Sequence, residues 1–423
     1  MTRRIIVVLI AVGLLCGSAS AAKVTFGPRH EMRVDGKLFL PVHAWAASMA
    51  DLDRLKAMGV NLVLGLADGS MSWKPISEET IATTKTYLDE LHKRQMYGMI
   101  LISSWWGDAE KRGSYKDKPL AAYMAHFKDH PALLGWQVSS EEDMGLGRGK
   151  RKELGLEGWA AKPNASAEDI RKRCEEVKKI DPDHPVEVMY SGAQMLAEMR
   201  KFTWTTPTPA AFYAETSKSA DILYHDLFPV ANNLAEDLKQ IADATVLLRG
   251  IGQGRKHLWV AVDAGDRKRW STKSHAPTGH EIRNELWQAL VEGAHGLGFD
   301  FTSWKPTWAS IRMSEEGEKG LTAALKEIEG LKEVILLGEV PTGGRVETPG
   351  KGEIRTALRR WKGKLYVFAV NVQPAADQAT ITVPDAKDAP AVVLGEDRTV
   401  PLKGGKIVDA FEAYAVHLYV IEP

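Results

Sequence analysis

Cysteine is nearly missing from this chain: 423 residues hold only Cys16 and Cys174. Cys16 sits in an amino-terminal apolar run, so the body keeps a single thiol and no intramolecular disulfide is available to it. A disulfide-stapled secreted module is excluded, although an oxidising compartment is tolerated. No charge of either sign is in excess, with 55 basic side chains against 55 acidic ones. Nothing therefore drives the chain globally toward nucleic acid or an anionic membrane surface. There is no His-x-His or His-Glu-x-x-His pair, so no metal and no other cofactor is expected. Gly145-Leu146-Gly147-Arg148-Gly149-Lys150 has the wrong spacing for a phosphate loop, and no Ser or Thr follows its lysine.

Arg3 and Arg4 precede the unbroken apolar or glycine run Ile5–Cys16, and Ala19-Ser20-Ala21 follows it. The run is short for a membrane span, which needs about 20 apolar residues. Basic, apolar and small-x-small segments in this order predict an export signal cut after Ala21. Leu15 stands before Cys16 where a lipoprotein would have a small residue. The mature chain, with 53 basic and 55 acidic side chains once Arg3 and Arg4 are gone, is expected in a periplasm or outside the cell, with no stable membrane insertion.

From Leu38 to Leu337, short apolar runs alternate eight times with longer segments. The runs are Leu38–Trp45, Asn61–Ala67, Tyr97–Trp105, Leu133–Glu141, Pro185–Ser191, Ala220–Pro229, His257–Asp263 and Gly296–Trp304. Met49–Met58, Glu78–Gln95, Ala167–Ile180 and Gly279–Ala294 between them carry apolar residues every three or four positions, the helical period. Eight strand–helix repeats over about 300 residues predict an α/β fold, a closed (β/α)8 barrel over residues 22–339. After Val340-Pro341-Thr342-Gly343-Gly344 the helical period ends. Glu353–Val372, Ala379–Val383, Ala391–Leu394 and Ala410–Ile421 predict a small antiparallel β-sandwich over 340–423.

Side chains on a strand face alternate sides, and barrel chemistry sits at the strands' C-terminal ends. The uniformly aliphatic sets, Leu38/Leu40/Val42, Leu62/Leu64/Leu66 and Leu258/Val260/Val262, are expected to face the helices. In the fourth strand, Leu134, Trp136 and Val138 facing outward would place Gly135, Gln137, Ser139 and Glu141 on the axis. Thirteen tryptophans supply flat apolar faces, which serve either as core filler or as stacking surfaces for sugar rings.

His130-Pro131-Ala132-Leu133-Leu134-Gly135-Trp136, with Glu141 five residues on, resembles the stretch that leads to a catalytic Glu in (β/α)8 glycoside hydrolases of the β-galactosidase and cellulase type. Val34-Asp35-Gly36-Lys37 resembles their opening hairpin, and Leu55–Asn61 their first helix and second strand. Ala220–Leu223, with Asp226 and Phe228-Pro229, resembles their sixth strand, and Glu281–Gly298 their last helix and strand. The resemblance spans nearly the whole mature chain. It implies hydrolysis of a glycosidic bond by paired carboxylates, with an oligo- or polysaccharide as substrate. Retaining members use a Glu at the end of strand four as acid/base and a Glu at the end of strand seven as nucleophile. Glu141 matches the first position, although Ser140 replaces the usual Asn or Asp before it. Strand seven ends in Asp263, with Asp266 just beyond and no Glu. A shifted nucleophile, an inverting mechanism and no catalysis all stay open. The partner candidates, in order, are Asp263, Asp226 and Asp300.

Glu141, with Trp105, Trp106 and Trp136 near it in sequence or fold, is expected to be the protonated acid. His43, Trp45, Trp105, Trp106, Tyr190, His225, Asp300 and Trp304 are expected to line the cleft. Arg148, Lys150, Arg151 and Lys152 after strand four and Arg267, Lys268 and Arg269 after strand seven suggest an anionic glycan. The competing readings are a carbohydrate-binding pseudoenzyme on the same barrel and a structural part of an envelope complex.

Overall fold

The computed structural model describes residues 21–66, 76–102, 119–144, 165–231 except 201–207, 237–266, 275–301, 311–348, 350 and 352–422, with the side chains of 198–200 left aside. The chain opens with three short antiparallel strands, β1 (Val24–Phe26), β2 (Met32–Val34) and β3 (Lys37–Phe39). Asp35 and Gly36 join β2 to β3 with φ of 51° and 78°, the two left-handed positions of a type I′ hairpin turn.

Eight parallel strands then close a barrel in chain order. They are β4 (Val42–Trp45), β5 (Leu62–Leu64), β6 (Tyr97–Leu101), β7 (Leu133–Ser140), β8 (Val186–Ser191), β9 (Ile222–Asp226), β10 (His257–Asp263) and β11 (Gly296–Asp300). β11 pairs back onto β4. The run Leu38–Trp45, expected as one strand, divides at Leu40-Pro41: β3 belongs to the opening sheet and only β4 to the barrel. Pro41 has no N–H for a ladder, and its carbonyl accepts from the Leu297 amide.

The helices follow their caps. Ser77 and Thr80 form a capping box before Glu78–Lys93, as do Thr278 and Glu281 before Gly279–Val291, and Ser166 caps Ala167–Ile180. Each satisfies amides that the first helical turn leaves without intrahelical partners. Leu52, Leu55 and Met58 are the buried face of Leu52–Met58, and Gly59 ends that helix at φ 102°. Among the described residues no helix is long and apolar enough to cross a membrane.

The barrel lumen holds Leu62, Leu64, Met99, Leu134, Met189, Ile222, Tyr224, Trp259 and Ala261, with Met32 and Val34 of the opening sheet packed against them. Leu258, Val260 and Val262 face the helices as expected, and so does Leu66 beyond β5, but Leu62 and Leu64 do not: Val63 takes the helix side of β5. Two glycines on β11 make room for large rings. A Cβ on Gly298 would lie 2.0 Å from the His43 ring, and one on Gly296 would lie 2.4 Å from the Trp259 ring. Both rings are buried on all sides, so neither can swing away. Gly298→Ala is therefore expected to destabilise the fold by about 1–3 kcal/mol, the usual cost of overpacking. A urea unfolding midpoint equal to that of the wild type would contradict this packing.

Residues 345–421 form eight antiparallel strands in one sheet that curls over its own core. The run Glu353–Val372 is a hairpin, Ile354–Trp361 and Lys364–Asn371, turning at Lys362-Gly363. The sheet docks on the barrel through Gly279–Val291. Trp287 packs on Phe368 with ring centroids 5.0 Å apart, and Arg283 donates to the Val416 carbonyl.

Candidate active site

Three consecutive acids follow β7, and they occupy three different environments. Glu142 is fully buried and accepts from the Ser139 hydroxyl (2.5 Å) and from the Ser140 amide. Asp143 is fully buried and accepts from the Ser191 amide and the Tyr213 hydroxyl, each at 3.0 Å. Burial pushes the Asp143 carboxyl well above its ordinary range, the Ser191 bond pulling the other way. Glu141 alone reaches solvent, half-buried at the strand end. Its φ is 59°, a left-handed conformation rare for any residue with a side chain and one that collects at functional sites.

Tyr224, on the lumen face of β9, reports what Glu141 is near. Its hydroxyl is pushed far above its usual range by burial first, then by the charges of Asp226, Glu187, Asp300 and Glu141. The charges of four carboxyl groups, on or just after four different barrel strands, thus act on this one hydroxyl. Asp226 and Asp300 end β9 and β11 at the same rim, each 8% exposed. Glu141 follows β7 at the same, C-terminal end of the barrel.

Asp263 does something else. Its carboxylate accepts from the amides of Val230 (2.8 Å) and Ala231 (3.4 Å), in the loop after β9. Its own amide donates to Glu285 on the helix behind it at 3.0 Å. The side chain that headed the list of partners for Glu141 is buried and occupied in holding a loop. Asp263→Ala is expected to lose about 2–6 kcal/mol of stability, since two buried amides lose their acceptor at about 1–3 kcal/mol each. Unchanged stability in chemical denaturation would return Asp263 to the cleft.

Other expected cleft residues lie elsewhere. Tyr190 faces the helix layer, bonded to Thr216 at 2.7 Å and packed edge-on against Tyr213. His225 also points outward, its Nε2 3.2 Å from Thr245. Thr245 donates its own proton to the Ile241 carbonyl, so His225 Nε2 carries the hydrogen in that bond. Burial lowers His225 to about 3, keeping it neutral. Trp136 faces outward too, bonding Asp181 at 2.8 Å, and is no wall for Glu141. His43 does face the lumen but one layer down, fully buried between Tyr224 and Trp259 at centroid distances of 5.0 and 5.2 Å. Trp45 packs against the lumen cluster and remains partly exposed. Trp105, Trp106, Trp304, Arg148, Lys150, Arg151, Lys152, Arg267, Lys268 and Arg269 lie outside the described residues. Among the described residues no cluster of three or more metal-ligating side chains occurs.

Sequence reasoning missed Tyr224 and Glu187. Period-two alternation held the signal for both: Tyr224 shares a face with Ile222 and Asp226, and Glu187 puts a charge in the middle of the apolar run Val186–Tyr190.

A closed parallel barrel followed by an antiparallel sheet is a fold shared with solved glycoside hydrolases. No family model matches the chain, and no curated protein matches its sequence. Solved structures match almost end to end. An alpha-amylase from Geobacillus thermoleovorans in complex with acarbose superposes with a TM-score of 0.57 at 10% identity, over 91% of this chain and 98% of that one. A glycoside hydrolase family 5 protein from Bacteroides vulgatus gives 0.56 at 10% identity, over 95% and 93%. A maltogenic alpha-amylase from Thermotoga neapolitana gives 0.53 at 10% identity, over 90% and 99%. At such identities the likeness is one of fold.

Proposed function

We propose that this protein hydrolyses glycosidic bonds in the cleft at the C-terminal end of the barrel, with Glu141 as proton donor and Asp226 or Asp300 as its ionised partner. One observation carries the reading: the only acid of the Glu141–Asp143 trio that reaches solvent follows its strand at the same barrel end at which Asp226 and Asp300 close theirs. Glycosidic cleavage asks for one carboxyl that donates a proton and a second that stays ionised, and these strand-end acids supply both residue types.

In the reaction, the Glu141 carboxyl gives its proton to the leaving glycosidic oxygen as the bond from that oxygen to the anomeric carbon breaks. The ionised aspartate either attacks the anomeric carbon, forming an ester that water later cleaves, or takes a proton from an attacking water. A carboxyl separation of about 5 Å suits the first route and roughly 6.5–9.5 Å the second. Both routes need only water and the two carboxyl groups. Buried Glu142 and Asp143, anchored to Ser139, Ser191 and Tyr213, fix the turn that presents Glu141.

Two finer features belong to the same proposal. The amino-terminal signal would deliver the enzyme to the periplasm or exterior. The basic residues after strands four and seven would favour an anionic, uronic or sulfated glycan. The test is a panel of aryl glycosides and neutral and anionic polysaccharides, assayed for released reducing ends with wild type and Glu141→Gln. Hydrolysis lost in the variant supports the reading, and rates on anionic substrates should fall as salt rises. Glycan binding by the wild type with no cleavage of any panel member would replace the hydrolase with a carbohydrate-binding pseudoenzyme.

A further inference from the structure

The loop that follows β9 begins directly after Asp226, and it is gripped from two directions. From the barrel side, Asp263 accepts the Val230 and Ala231 amides, while the Leu227 amide donates to Ala261 at 3.2 Å. From the other side, Val230 and Leu238 form a separate apolar cluster with Tyr414, a residue of the carboxy-terminal sheet. Tyr414 is itself firmly placed. Its φ is 57°, its amide donates to the Gln373 carbonyl at 3.1 Å, and its carbonyl accepts from Asn284 at 2.8 Å. Asn284 also donates to the Asn371 carbonyl at 2.9 Å, and Asn371 in turn holds the Ala375 and Glu412 carbonyls. Asn284 is one residue before Glu285, which accepts the Asp263 amide. One helix thus carries both the anchor of the carboxy-terminal sheet and the support of Asp263.

We infer that the carboxy-terminal domain is a working part of the cleft: Tyr414 and Asp263 clamp the loop after β9 from opposite sides and so position Asp226. Tyr414 is a positioning residue, acting through Val230 on a side chain that the proposed hydrolysis uses. Its relevance to turnover rests on that proposed hydrolysis; the clamp itself does not. A displacement of about 1 Å at a reacting group can cost roughly a hundredfold in rate, so a loop held from one side only should lower kcat.

Amide hydrogen exchange on the full-length protein tests the clamp without any substrate. In Tyr414→Ala, exchange at Val230 and Ala231 should accelerate roughly tenfold or more while the lumen amides of β5 and β6 keep wild-type rates. Asp263→Asn should give the same local pattern. Unchanged exchange at Val230 and Ala231 in Tyr414→Ala overturns the inference, as does equal acceleration across the whole barrel. On any glycoside the wild type cleaves, Tyr414→Ala should lower kcat with KM within a few-fold. If no glycoside is cleaved, the exchange result still decides the clamp, and only the hydrolytic reading falls.

Discussion

Glu141→Gln is expected to lower kcat on the best glycoside substrate by about 10²–10⁴-fold, the range that a positioned acid contributes. KM should stay within a few-fold, because the amide keeps the size and position of the side chain while losing only the transferable proton. The backbone adds a second, sharper expectation. Glu141 sits at φ 59°, and a side chain there costs roughly 1 kcal/mol or more. Glu141→Gly removes that strain, against about 0.4–1 kcal/mol that glycine adds to the freedom of the unfolded chain. The glycine variant should therefore fold at least as stably as the wild type by urea titration and yet be inactive. A purely structural turn residue predicts the reverse for both variants: full activity in Gln and no loss of activity in Gly.

Glu187→Gln should change how stability depends on pH. Glu187 is fully buried in the lumen, and neither of its oxygens makes a hydrogen bond of good geometry among the described residues. Gln137 lies opposite it in the β7–β8 register and pulls its carboxyl down only weakly. Burial and then the charge of Glu142 raise that carboxyl well above its ordinary 4.5. A raised carboxyl means that the folded protein holds a proton which the unfolded chain releases above about pH 4.5. Stability therefore falls as pH rises from there to the folded value, by about 1.4 kcal/mol per unit. Below pH 4.5 both states hold the proton and the contribution vanishes. In Glu187→Gln this slope disappears, so the variant should gain on the wild type steadily as pH goes from 4.5 upward. Asp143 and Glu285, also raised by burial, act alike in both proteins and cancel in the difference. Parallel stability curves for the two proteins would mean that Glu187 is ionised and compensated by a cation.

The parts of this fold legible in the sequence were those with contrast between the two faces of a strand. In β10, Leu258, Val260 and Val262 face the helices and Trp259 and Ala261 the lumen, as their alternation predicts. In β5 both faces are aliphatic, so Leu62 and Leu64 were placed outside when they fill the lumen. β7 adds another difficulty: its pairing with β6 skips Leu134 and its pairing with β8 skips Val138, and Leu134 lies in the lumen while Trp136 and Val138 stay outside. A bulge changes which face a residue takes and leaves no mark in a two-residue repeat.

The cleft was legible to the extent that strand ends could be counted. Asp226 and Asp300 follow from their place at strand ends, and Glu141 from its place together with the family-like stretch His130–Trp136 before it. Asp263 was named by the same logic, but its partners are backbone amides of Val230 and Ala231, more than thirty residues earlier, and no side-chain pattern announces an amide. Tyr190 and His225 were included as polar residues near strand ends. The alternation Glu187/Met189/Ser191 and Ile222/Tyr224/Asp226 already placed both on the opposite face, where helices cover them.

The most direct test of the central claim is a crystal structure of Glu141→Gln soaked with the glycan that the wild type cleaves fastest. The glycosidic oxygen should lie within hydrogen-bonding distance of the residue 141 side chain, with the anomeric carbon turned toward Asp226 or Asp300. A glycan bound elsewhere on the molecule, or seated in the cleft with residue 141 out of reach, would contradict the assignment of Glu141 as the acid.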